Sequence, residues 1–160
     1  FFRWPLTVDR QSIPRKVVGY ARRAFDQGVG RSLWFVRGAN PRRIADTIER
    51  FPAARQANLW AGVGLAATFA GGCDEAVLRE LVRFATPFAS MLAQGAAFAA
   101  EARVRGSNPA EHTDLACQLI SGQTSVDLAA LCERTAGDLP LDGSEPAFEI
   151  WRERIQAALA

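Results

Sequence analysis

The chain has 160 residues, of which 49% are hydrophobic and 22% charged, and a formal net charge of +2. That length suits one domain with a self-sufficient core, and the composition excludes a disordered chain. A charge so small predicts no attraction to nucleic acid or to a membrane surface.

The opening Phe1-Phe2-Arg3-Trp4 puts three large aromatics among four residues. We read the chain as the C-terminal part of a longer protein, with this cluster facing a missing N-terminal half or a second copy. A first long helix runs up to Gly38, with Asp26, Gln27 and Arg31 between Phe25 and Leu33-Trp34-Phe35-Val36. Asn40-Pro41 reads as an N-cap followed by proline at the first helical position. Ile44, Ile48 and Phe51 then form the stripe of a one-sided helix. Residues 56–73 carry no charge, and residues 84–100 repeat that pattern. Alanine, glycine, Asn58, Pro87 and Gln94 mark both as buried helices, not membrane spans. Asp74-Glu75 caps the helix between them, striped by Leu78, Val82 and Ala85. Asn108-Pro109 predicts the next cap, before a helix that carries His112. A helix follows from Ser125 to about Ala136. Residues 144–160 form a C-terminal capping helix, with Phe148, Ile150, Trp151 and Ile155 facing inward.

These elements repeat. Positions 40, 74 and 108 are 34 residues apart, each with a glycine two residues earlier (Gly38, Gly72 and Gly106) to close the preceding helix in a left-handed conformation. Gln27-Gly28-Val29-Gly30 aligns with Ala61-Gly62-Val63-Gly64, and Gln94-Gly95-Ala96-Ala97 follows with one residue slipped. The expected fold is all-α: αα-hairpin repeats forming a short solenoid or compact helical bundle, in one domain over residues 1–160. A glycine inside a helix costs about 1 kcal/mol against alanine. Its use here is to let neighbouring helices approach closely.

The chemical inventory is thin: one histidine, three cysteines and one tyrosine. Cys73, Cys117 and Cys132 form no C-x-x-C pair, so they read as reduced, mostly buried thiols of a cytoplasmic protein. No metal and no cofactor site is expected. The Gly62-x-Gly64-x-x-Ala67 match to a dinucleotide fingerprint lacks the strand that must precede it. Asp26 sits where it can pair loosely with Arg31. Asp26, Gln27, Arg31, Trp34, Trp60 and Gln94 are candidates for a polar-edged aromatic groove that takes a ligand. The competing reading is an internal hydrogen-bond network that keeps the helices in register. His112 reads as a core-boundary residue, or alternatively as an acid/base.

Three internal runs carry a family resemblance: Gly19-Tyr20-Ala21-Arg22-Arg23-Ala24-Phe25-Asp26-Gln27-Gly28-Val29-Gly30-Arg31-Ser32-Leu33-Trp34-Phe35-Val36, Asn58-Leu59-Trp60-Ala61-Gly62-Val63-Gly64-Leu65-Ala66 and Leu92-Ala93-Gln94-Gly95-Ala96-Ala97-Phe98-Ala99-Ala100. With His112-Thr113-Asp114-Leu115-Ala116-Cys117 and the tail Glu145-Pro146-Ala147-Phe148-Glu149-Ile150-Trp151, they resemble the bacterial DUF1702 family. The resemblance implies a setting, enediyne-type polyketide gene clusters, and no catalytic residues. It leads to the expectation of a non-catalytic accessory protein that binds a partner enzyme or an apolar polyketide intermediate. The rival is an enzyme acting on a polyene intermediate through His112, with Asp26 and Arg31 orienting it.

Overall fold

The computed structural model describes residues 3–141, 143 and 145–160, so the expectations for Phe1, Phe2 and Ser144 lie outside the described residues. Among the described residues, eight α-helices account for most of the fold: α1 (Ala21–Val36), α2 (Pro41–Ile48), α3 (Ala53–Ala70), α4 (Glu75–Phe84), α5 (Ala89–Arg105), α6 (Glu111–Ser121), α7 (Ser125–Thr135) and α8 (Ala147–Ala158). A π-helical turn, Pro5–Asp9, precedes them, and a 3-10 turn, Thr86–Phe88, leads into α5. No strand occurs among the described residues.

The odd-numbered helices lie side by side in chain order: α1 against α3, α3 against α5, α5 against α7. The even-numbered α2, α4 and α6 also follow one another, and α8 closes over α5 and α7. This placement explains the two uncharged stretches. They form α3 and α5, which have neighbours on both sides and bury nine residues each. A helix covered on several faces needs no polar stripe. No helix among the described residues is long and apolar enough to cross a membrane.

Local chemistry sets most boundaries. Asn40 caps α2 by accepting from the Arg43 amide at 2.9 Å, and Asp74 caps α4 by accepting from the Val77 amide at 2.9 Å. Thr124 and Asp127 make a reciprocal capping box at the start of α7. The third predicted cap fails. α6 starts at Glu111, with Ala110 before it and no side-chain cap. Asn108 is used up in closing α5: its amide donates to the Arg103 carbonyl at 2.9 Å. The left-handed residue there is Ser107 (φ 48°), not Gly106, whereas Gly38 and Gly72 do have positive φ.

The glycines of the long helices sit at main-chain contacts. A Cβ added at Gly62 would stand 2.0 Å from the Gln27 carbonyl oxygen, and one at Gly30 2.0 Å from that of Leu59. The α3–α5 seam repeats the arrangement: Gly64 faces the Leu92 carbonyl and Gly95 the Ala61 carbonyl, each at 2.1 Å from an added Cβ. The residue facing Gly64 is Leu92, where a strict 34-residue spacing from Leu59 gives 93; this is the one-residue slip seen in the sequence. Only glycine permits such an approach. The dinucleotide-like glycines are thus seam residues in the middle of a helix.

Candidate functional site

The polar residues of the interior converge on α8. Arg152 is 1% exposed. Its Nε donates to Gln94 Oε1 at 3.0 Å, and its Nη1 donates to Asn58 Oδ1 at 3.2 Å and Glu149 Oε2 at 2.7 Å. Gln156 Nε2 donates to the same Gln94 oxygen at 3.3 Å. Arg23, on α1, reaches Glu149 at 3.2 Å and Glu145 at 3.0 Å. A buried guanidinium needs this much company, because a charge taken out of water must be both paired and hydrogen-bonded. The cluster ties α1, α3 and α5 to α8. Tyr20 Oη and Gln27 Nε2 are buried with no hydrogen-bond partner of good geometry. Burial pushes the Tyr20 hydroxyl above its ordinary value, against the pull of nearby Arg152. Phe148 stacks on Phe98, and Trp151 packs beside both.

The predicted inner face of α8 holds at Ile155, which is buried, and at Trp151, half-buried against the core; it is corrected at Phe148, which is 42% exposed, and at Glu149 and Arg152, which are buried. Arg152 and Glu149 were missed as functional or structural polar residues. The available signal was Asn58 and Gln94, lone hydrogen-bonding side chains in otherwise apolar helices.

The predicted groove residues are spread over the molecule. Asp26 is buried and pairs with Arg55, whose Nε lies 3.0 Å from Asp26 Oδ2. This replaces the expected Asp26–Arg31 pair, since Arg31 is exposed. Asp26 and Arg55 line a polar cleft of about 410 Å³ with Arg22, Arg23 and Asn58. Gln94 belongs to the Arg152 cluster, whereas Gln27 on α1 lies beside Tyr20. Trp34 and Trp60 are 2% and 3% exposed and belong to the hydrophobic core.

His112 lies elsewhere. Its Nε2 is 3.1 Å from the Phe69 carbonyl at the end of α3, and its ring covers Gly71. Arg103 donates to the same carbonyl at 2.7 Å, and Thr113 donates to the Thr68 carbonyl at 3.0 Å. These side chains satisfy the last carbonyls of α3, where a helix leaves acceptors without partners. Asp26 touches the opposite end of α3, through Arg55. Fourteen residues of helix separate Arg55 from Phe69, about 21 Å at 1.5 Å per residue. His112 and Asp26 therefore do not meet.

An apolar opening lies on the outer side of α1. A cavity of about 610 Å³ is bounded by Leu6, Thr7, Ser12, Ile13 and Pro14 on one side and Phe25, Gly28 and Val29 on the other. Gly28 is exposed, and a Cβ added there would meet nothing within 4 Å. The surrounding sequence is basic. Residues 1–55 hold twelve basic and four acidic side chains, net +8, and residues 56–160 hold seven and thirteen, net −6. The whole-chain charge of +2 conceals this division.

Cys117 and Cys132 are free and fully buried, while Cys73 is partly exposed. Burial pushes both buried thiols up to about 12, with Asp114 and Glu101 respectively adding to the effect. The unfolded thiols lose their protons near 9, the folded ones near 12. Between those values the unfolded state binds fewer protons, so stability is complete below pH 9 and falls as pH rises. The loss is expected to reach roughly 4 kcal/mol per thiol by pH 12. Urea midpoints at pH 8 and pH 11 measure it. In Cys117→Ala/Cys132→Ala the fall should shrink; an equal fall would mean the thiols are not its cause. Among the described residues no group of three histidine, cysteine or acidic side chains is placed to hold a metal ion.

Residues 1–159 match the family model DUF1702, described as a protein of unknown function. Comparison with curated proteins and with solved structures finds no match.

Proposed function

The chain belongs to the DUF1702 family, and from that premise we propose a non-catalytic accessory protein of enediyne-type polyketide biosynthesis. It binds a partner enzyme or an apolar intermediate. The family resemblance supplies the biosynthetic setting. The observation that carries the binding reading is the apolar cavity of about 610 Å³ against α1. Concave, mainly apolar openings with a few polar groups are where proteins take ligands and partners. The charged groups of the interior clusters, by contrast, are engaged: Asp26 with Arg55, and Arg152 with Gln94, Asn58 and Glu149. The order of the helices supports a short solenoid of αα-hairpins, in which α1 borders the cavity.

Deletion of the gene in an enediyne-producing bacterium, with metabolite profiling, tests this reading. The expected result is a lower yield of final product without build-up of one intermediate. A Leu6→Asp allele, which places a charge in the cavity wall, should reproduce it, and a His112→Ala allele should retain function. Accumulation of a single intermediate, reproduced by His112→Ala, would overturn the proposal in favour of an enzyme.

A further inference from the structure

We infer that the polar cleft between the first turns of α1 and α3 binds the carboxylate of an apolar carboxylic acid, whose chain lies in the adjoining cavity. This ligand class rests on the apolar-intermediate reading and deepens it.

The cleft, of about 410 Å³, is lined by Arg22, Arg23 and Asp26 of α1 and by Arg55 and Asn58 of α3. Its acid is already taken: Asp26 is 3% exposed, and both its oxygens accept from Arg55 Nε, at 3.1 and 3.0 Å. Asn58 gives its side-chain oxygen to Arg152 at 3.2 Å, so what it can offer the cleft is its amide donor. Arg22 is exposed, and its side chain has no hydrogen-bond or ion-pair partner among the described residues. Gln11, also in the lining, donates its Nε2 to the Arg50 carbonyl at 2.6 Å and keeps one neutral oxygen. The free capacity is therefore mainly guanidinium and amide N–H, which calls for an anionic acceptor.

Charge decides which anion. Arg23 is shared by Glu145 and Glu149, Arg55 pairs with Asp26, and Arg152 with Glu149. With Arg22, these groups make four cations against three carboxylates, and the unmatched charge is on Arg22. One unmatched charge suits a monoanionic carboxylate, whereas a phosphate dianion would set an extra negative charge beside three others. Helix direction favours an anion at the same place. Asp26 meets Arg55 as Gly30 meets Leu59, so α1 and α3 run parallel and start together. Neither has an acid in its first turn or a side-chain cap. Cations in the first turn of a helix oppose its dipole, and a bound anion relieves both.

The apolar part follows from Ile13, which lines both the cleft and the cavity of about 610 Å³. On the cavity side it is joined by Leu6, Phe25 and Val29. Phe25 and Asp26 are consecutive on α1, one in each opening. A molecule with an apolar body and one carboxylate satisfies the two linings together.

Isothermal titration of the full chain with decanoate tests this. Decanoate should bind saturably at one site. Acetate, decanol and decyltrimethylammonium should each bind at least tenfold more weakly. Arg22→Glu should weaken decanoate at least tenfold at an unchanged urea midpoint, because that side chain is exposed and unpaired, and Arg22→Lys should restore part of the binding. Leu6→Asp, on the cavity wall, should weaken decanoate as well. If Arg22→Glu fails to fold, Arg22→Gln gives the same reading. Unchanged decanoate binding in the folded Arg22 variant would overturn the inference, as would decanol binding equally well. Tighter binding of decyl phosphate would also overturn it, making this a phosphate site. A chain that ignores decanoate while its gene deletion still lowers yield keeps the accessory role through a partner enzyme, so the two readings fail separately.

Discussion

Replacing Gly62 by alanine is expected to lower the free energy of unfolding by about 3 kcal/mol. The new methyl would stand 2.0 Å from the Gln27 carbonyl oxygen and 2.6 Å from the Arg31 amide nitrogen. Both atoms belong to the main chain of α1, so no side chain can swing aside. Relief requires α1 to move off α3, which opens the packing around Val29, Leu33, Leu59 and Val63, four core residues no more than 3% exposed. Alanine's better helix propensity returns only about 1 kcal/mol. Against a total stability of roughly 5–15 kcal/mol, such a loss is large. Gly30, Gly64 and Gly95 should behave alike, since each faces a neighbouring carbonyl at a similar distance. Equilibrium urea unfolding followed by helical circular dichroism measures the effect. An unchanged stability in Gly62→Ala would show that the seam can open at no cost.

The second large effect concerns Arg152. Arg152→Met should destabilise the fold by about 3–5 kcal/mol, the range for breaking a buried ion pair by removing one partner. The variant strands Glu149, which is 6% exposed, and leaves Gln94 and Asn58 without the donor they share. Arg23 still reaches Glu149 at 3.2 Å, which keeps the loss from being greater. Removing both charges separates the penalty from the worth of the pair. Arg152→Met/Glu149→Leu should recover most of the stability, because an apolar pair of similar volume carries no desolvation cost. Thermal unfolding of the two variants beside the parent gives the comparison. If the double variant is as unstable as the single one, the charges contribute net stability and are not merely satisfied.

The parts of this fold that were legible in the sequence depend on local chemistry. Asn40 and Asp74 each bond an amide three residues away, and such caps need nothing distant. The seam glycines were legible because a glycine inside a helix lowers its stability and needs a reason, which close packing supplies. Asn108 looked identical to Asn40. Its main chain closes α5 instead, and that depends on where α5 ends, which the residues around Asn108 do not announce. The α8 interior was not legible for a related reason. Arg152 finds Gln94 and Asn58 at separations of 58 and 94 residues. A helix bearing Phe148, Ile150 and Trp151 reads as aromatic side inward, and only those distant acceptors show that Arg152 turns inward while Phe148 stays 42% exposed.

The candidate site was legible in kind and not in place. Gln27 and Gln94 were noticed because they interrupt apolar helices, and Gln94 does enter a hydrogen-bonded cluster. Trp34 and Trp60 looked like groove residues by size alone, and size also suits the core in which they lie. The cavity at α1 left little trace, because its walls come from an irregular segment, residues 6–14, with no periodic pattern. The charge division was present in the sequence but was hidden by the small net value.

The most direct test of the central claim compares Gly28→Ala with Gly62→Ala in the same urea titration. The two glycines are equivalent in the 34-residue frame, but one faces an open cavity and the other a main chain. The account predicts that Gly28→Ala is as stable as the parent or up to about 1 kcal/mol more stable, while Gly62→Ala loses about 3 kcal/mol. Equal losses at both positions would contradict it, since Gly28 would then be packed against the fold and not facing the open cavity.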